Sequence, residues 1–227
     1  MRVCFTKVLC LAAGLMMSLA GTSHAALIFT SNVQADFRFT AVNGNPLGLP
    51  GGLVLDFVAN GALTFSLDDS VPNAPSMAFT NVTGDFTVSA PAGFAGATVR
   101  PFLFESGQLT SITRDGGGNI TGGNVSELRM LWEMNLGAIR LYTKESLPFN
   151  GAVTGAPFQM GNQISGSAPF DVFLDLGNQA TDPLAVIGSD RFLTVTGVPE
   201  PGSFALLGLG GLAFAFRNRF RKSGIQI

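Results

Sequence analysis

An all-β body, built as a single β-sandwich of jelly-roll type, is the fold this sequence predicts, and three observations predict it. Gly, Asn, Ser, Thr, Val and Phe crowd residues 26–197 while Lys and Glu are scarce, a composition that suits strands and turns. Short runs of β-branched and aromatic residues recur between turn signals. No run holds a helical period, so at most one short helical turn is expected, in a loop. No fixed-period repeat is present either, which disfavours a solenoid or a propeller.

Taken in order, the expected strands are Asp36 to Val42, Leu53 to Ala59 and Ala62 to Leu67. Asn60-Gly61 lies between the last two and reads as a two-residue hairpin turn. Asp85 to Ala90, Thr98 to Glu105 and Leu109 to Thr113 follow. The Gly-rich stretches at 115–119 and 122–124 read as loops. Glu127 to Asn135 alternates strictly, with Leu128, Met130, Trp132 and Met134 on one face. Glu127, Arg129, Leu131, Glu133 and Asn135 take the other. Ala138 to Thr143, Phe170 to Leu176 and Arg191 to Gly197 complete the set. In Phe170 to Leu176, the residues Phe170, Val172, Leu174 and Leu176 point one way, and Asp171, Phe173 and Asp175 the other.

The body has neither cysteine nor histidine, because Cys4, Cys10 and His24 all precede Ala26. This excludes disulfides, Cys or His zinc sites, Ser-His-Asp and Cys-His catalysis, and haem held by His within the body. Between residues 26 and 197 the sequence has fourteen Asp or Glu and seven Lys or Arg, a net charge of −7. Such an acidic body argues against nucleic-acid partners.

What chemistry remains rests on oxygen atoms. Calcium is the one metal suited to the donors present. Asp68 and Asp69, with Ser70 and Asn73 close behind, form the better candidate site, and Asp115 with Asn119 forms a second. Both also fit ordinary turn duty, in which Asp and Asn bond their own backbone. No other cofactor is expected. A glycosidase needs only two carboxylates. Glu127 and Glu133 sit about 20 Å apart along one strand, too far for such a pair. Glu105 or Glu145 would have to approach one of them through the fold. The competing reading makes these acids solvated sheet residues paired with Arg129, Arg140 and Lys144, so no enzymatic activity is expected. Trp132 and Tyr142 are the only Trp and Tyr. Trp132 shares its face with apolar neighbours and reads as core. Tyr142 is the candidate ligand-binding aromatic. Gly116-Gly117-Gly118 lacks the lysine and the helix of a phosphate loop.

The two ends differ from the body. Arg2 and Lys7 precede an apolar stretch from Val8 to Ala20, and small residues at Ser23 and Ala25 suit cleavage before Ala26 by signal peptidase. Residues 1–25 thus read as a signal peptide. At the other end, Val198-Pro199-Glu200-Pro201 is followed by the uncharged apolar run 203–216, and then by Arg217, Arg219, Arg221 and Lys222. The prolines keep the motif extended. The apolar run is short for a span of about 20 residues, and the snorkelling stems of Arg217 and Arg219 would lengthen it. The basic cluster acts as a membrane stop that stays cytoplasmic, with the body on the outer side. Residues 223–227 extend past it.

This order of motif, apolar helix and basic cluster resembles the PEP-CTERM sorting domain of Gram-negative bacteria, over residues 198–222. The resemblance implies recognition and cutting near Pro199-Glu200-Pro201 by exosortase, a membrane-embedded transpeptidase-like enzyme. It implies an exported protein, anchored in the inner membrane by its tail and then placed at the cell surface or in the matrix of a biofilm. The expected role is structural or adhesive, in association with exopolysaccharide. The alternatives are a carbohydrate-binding module for that polysaccharide and, third, a two-carboxylate polysaccharide-degrading enzyme.

Overall fold

The computed structural model describes residues 26–155, 158–175 and 179–197, without the side chains of residues 179–182. The expected signal peptide and the sorting tail from Val198 onward lie outside the described residues.

Ten strands run in chain order: β1 (Leu27–Ala41), β2 (Val54–Leu67), β3 (Met77–Ala90), β4 (Thr98–Arg114), β5 (Ile120–Leu136), β6 (Ile139–Thr143), β7 (Leu147–Thr154), β8 (Gln163–Gly166), β9 (Phe170–Asp175) and β10 (Gln179–Gly197). The expected short helical turn is Ala92–Phe94, in the β3–β4 connection.

All ten strands belong to one antiparallel sheet, not to the two stacked sheets of a sandwich. β1 to β6 pair as consecutive neighbours, and β1 also pairs with β10. The sheet therefore closes. β5 pairs with β6 through its upper residues, such as Glu133↔Tyr142, and with β7 through its lower ones, such as Leu128↔Phe149. β10 divides likewise between β9 and β8. β6 with β7 forms one broken stave and β8 with β9 another, so the molecule is in effect an eight-staved up-and-down barrel. Alternation marks a buried face equally well for both architectures. Only the pairing of the first strand with the last separates a barrel from a sandwich.

The expected hairpin at Asn60-Gly61 is also corrected, because β2 runs straight through it. Asn60 pairs with Gln34 on one side and Thr87 on the other. Gly61 serves close approach instead of turning: a Cβ there would lie 2.0 Å from the carbonyl oxygen of Asp85. Gly84, at φ +148°, makes the reciprocal contact, 2.0 Å from the oxygen of Ala62. The two glycines let β2 and β3 cross tightly. The two runs expected at 98–105 and 109–113 merge into β4, and the ladder continues across a series of bulges. The loop expected at 122–124 lies inside β5.

An eight-staved barrel is just wide enough for side chains to fill, and here they do. Phe57, Phe65, Phe86, Phe149, Leu63 and Met130 are among the fully buried residues. Trp132 is 3% exposed and meets Phe37 at 5.5 Å, Phe86 at 5.9 Å and Phe149 at 6.0 Å between ring centroids. Leu128, Met130 and Met134 are buried beside it, as the alternation of β5 requires. The gap left near Trp132 is about 20 Å³, room for no more than a water molecule. Buried Thr143 accepts the backbone N–H of Trp132 at 3.0 Å.

Arg191 is fully buried. It donates to the carbonyls of Ala168, Gly188 and Pro148 and lies over the rings of Phe170 and Phe149. Burial pushes its guanidinium down to about 10. Gly166 makes room for it, since a Cβ there would fall 1.8 Å from the Arg191 Nε. Arg191 thus ties the break between β8 and β9 to β7 and β10.

Candidate functional site on the outer wall

With the interior filled, the places left for recognition are on the outside. The wall formed by β4, β5, β6 and β9 has an unusual surface. Strand register brings Arg100, Glu133, Tyr142 and Phe173 into one row across these four strands. Alternation puts all four on the face away from the core.

Glu133 anchors the row. Although on the outer face, it is only 6% exposed, because two arginines cover it. Nε of Arg100 donates to its Oε1 at 2.6 Å, and Nε of Arg140 to its Oε2 at 2.8 Å. Burial works to raise the Glu133 pKa, but the hydrogen bonds and charges of Arg100 and Arg140 outweigh it and hold the carboxyl below its ordinary range. Nη1 of Arg140 also reaches Asp175, at 3.6 Å.

The aromatic part is built on this ionic base. Tyr142 and Phe173 lie with ring centroids 5.9 Å apart, tilted by 36°. The Arg140 guanidinium sits 4.9 Å from the Tyr142 centroid and 5.4 Å from that of exposed Phe102. The Lys144 ammonium lies 3.9 Å over Phe173. Beside Phe173 a groove of about 250 Å³ is lined by Lys144, Glu145, Phe170 and Asp171. The surface therefore presents half-exposed rings flanked by fixed charges of both signs. Such a surface can stack on the apolar faces of a ring-shaped ligand and bond its polar edge.

Tyr142, the aromatic singled out in the sequence, is thus in this site. Phe173 and Phe102 were not singled out. The alternation of β9 separates Phe173 from Val172 and Leu174, whereas Phe102 is the extra residue of a bulge in β4 that no pattern marks. Trp132 is in the core, as its neighbours implied.

A second cleft, of about 490 Å³, opens where β3 and β4 separate, between the pairs Ala78↔Gln108 and Phe86↔Val99. Glu105 and Glu127 both line it, with Ser106, Gln108 and Ser126. Both acids are exposed, and Glu127 is ion-paired with Arg129 at 2.6 Å. Glu127 stands at φ 49°, in the bulge of β5, where its N–H donates to Asn150 Oδ1. Glu133 lies six residues further along β5 and does not line this cleft.

Asp68 and Asp69 lie in the β2–β3 loop, where Asp68 Oδ1 accepts the N–H of Ser70 at 2.9 Å. Asp115 does similar turn work, accepting from Gly117 and Asn119 at 2.9 Å. Its side-chain hydrogen bond with Asn119, backed by those backbone donors, lowers its pKa. No group of three or more acidic side chains is gathered for a metal among the described residues.

A family model of the PEP-CTERM protein-sorting motif matches residues 197–222. The body has no family match. No curated protein matches the chain. Among solved structures, DynF from the dynemicin biosynthesis pathway of Micromonospora chersina is similar at 11% identity and a TM-score of 0.48, over 78% of this chain and 83% of that one. The chain thus carries an exosortase sorting motif. That motif implies an exported protein, processed by exosortase and anchored in the membrane before that processing.

Proposed function

We propose that the body is a non-enzymatic adhesive module of the cell surface or extracellular matrix, which holds exopolysaccharide on the outer wall of β5, β6 and β9. The observation that carries this reading is the Arg100–Glu133–Tyr142–Phe173 row. Its rings are held by cross-strand packing and by an ion-paired base beneath them. A sorting motif delivers the chain to the compartment where such a polymer is found. Repeated weak stacking along a polymer suits adhesion, since linked weak contacts multiply in strength.

The test is binding of residues 26–197 to the host's own exopolysaccharide, with and without calcium. Saturable binding is expected, weakened at least about tenfold by Tyr142→Ala and by Phe173→Ala, the scale of a lost aromatic contact. Calcium dependence removed by Asp68→Asn with Asp69→Asn would assign these acids a metal. Binding indifferent to both aromatic truncations sinks the proposal.

A second reading comes from the cleft that Glu105 and Glu127 share: a two-carboxylate hydrolase of the same polymer. Its requirement is a carboxyl pair about 5 to 9.5 Å apart. The same incubation tests it, because a hydrolase releases new reducing ends and Glu105→Gln abolishes their release.

A further inference from the structure

The topology places both ends of the body on one rim. β1 starts at Leu27 paired with Leu67, and β10 ends at Gly197 paired with Asn32. The β2–β3 and β7–β8 loops turn at the same rim. Gly161 donates to Val195, and Phe158 packs on Phe29 and Phe65. On this rim three apolar side chains stand in solvent: Ile28 at 63% exposed, Val71 at 60% and Met160 at 72%. They come from three separate segments that the topology brings to the same rim.

The sequence beyond the rim says what faces them. Only residues 198–202 separate Gly197 from the apolar run 203–216. That linker spans about 20 Å even when fully extended. The chain is membrane-anchored before processing, so the rim is held within that distance of the bilayer. The opposite rim, with Leu47 and Leu53, is a full strand away: β1 alone has 15 residues, roughly 50 Å of extended chain.

We infer that Ile28, Val71 and Met160 form a foot that rests on the lipid bilayer surface while the sorting tail is in place. The acids on this rim set the depth. Asp68 and Asp69 share the loop of Val71, and Asp115 turns β4 into β5 beside Arg114. These charges keep the contact at headgroup level and disfavour strongly anionic lipid. A body so seated presents the outer wall sideways and keeps the Pro199-Glu200-Pro201 motif at the interface, where a membrane-embedded enzyme works. This inference goes beyond the adhesive reading and does not depend on it.

The test uses the full-length chain made in a host without exosortase, with the membrane-bound product reconstituted into phosphatidylcholine–phosphatidylglycerol vesicles containing chain-brominated lipid. Met160→Trp and Leu47→Trp each add one reporter to the buried Trp132. Quenching of the added fluorescence should be at least about twofold stronger for Met160→Trp, as for a side chain at the acyl boundary. It should persist when about ten Gly and Ser residues are inserted after Gly197, which loosens the tether without touching the foot. Equal quenching at the two positions overturns the inference, and so does a fall to the Leu47→Trp level with the longer linker.

Discussion

Replacing Glu133 by Gln tests the ionic base of the outer wall. The carboxylate is 6% exposed and bonded to two arginines, at 2.6 and 2.8 Å. Gln keeps one oxygen for one arginine but turns an NH2 donor toward the other. Removing one partner from a fully buried pair costs about 3–5 kcal/mol, and an exposed pair contributes about 0–1. The arginine side chains are 52% and 35% exposed and can turn to water. The expected cost is therefore intermediate, about 2 kcal/mol at pH 7, or a Tm drop of about 4–8 °C in a domain of this size. The sign of the pH dependence follows from the lowered pKa of Glu133. A carboxyl depressed in the folded state stabilises above its unfolded pKa, and that stability is lost as pH falls through the folded value. The gap between wild type and Glu133→Gln should be full above about pH 5 and close below the ordinary glutamate value. Other depressed acids, Asp56 and Asp115, titrate in both proteins and cancel. The assay is thermal unfolding from pH 3 to pH 7, followed by the single tryptophan and by circular dichroism. No gap at pH 7, or one unchanged at pH 3, would refute the reasoning.

Two further outcomes concern the backbone. Gly61→Ala and Gly84→Ala drive a methyl to 2.0 Å from a carbonyl oxygen of the neighbouring strand. Each should cost at least about 3 kcal/mol by denaturant unfolding. Gly116→Ala, with nothing within 4 Å, should stay within about 0.5. Gly166→Ala puts its methyl into the Arg191 guanidinium and should cost about 2–4 kcal/mol, since a buried cation then loses its carbonyl acceptors. Hydrogen exchange at the Ser167 and Ala168 amides should quicken in step with that loss, and unchanged exchange would detach Arg191 from the join of β8 and β9.

The sequence made the strand class and the inward faces legible because these depend on local alternation. Trp132 could be placed in the core from Leu128, Met130 and Met134 alone. The architecture was not legible, since closure depends on β1 meeting β10 across most of the chain. Asn60-Gly61 misled for a related reason. A glycine that lets two backbones meet has the same letters as one that turns a hairpin, and only Asp85, a neighbour from another strand, tells them apart. The candidate site was half legible. Tyr142 stood out by rarity, and Phe173 lay on the outer face of its strand. The row that joins them needed the register of four strands. Arg100, which caps Glu133, had no sequence signal beyond its charge.

Closure also bears on the proposed adhesive role. An open sheet offers unpaired edges, and edge pairing is the readiest route to self-association. A barrel removes those edges. The surviving weak point is the stretch where β3 and β4 separate, and Asp85, Glu105 and Glu127 stand along it. Charges so placed discourage a second chain from pairing there. Self-association by strand exchange is thereby disfavoured, and the proposed adhesion would rest on side chains of the walls. Among the described residues, the wall that joins rings to a fixed ionic base is that of Tyr142 and Phe173. The same logic accounts for the lack of cysteine in the body. A sheet closed by β1 on β10 and filled with phenylalanine ties the described strands to one another without a disulfide. The exported body can hold its shape by packing alone.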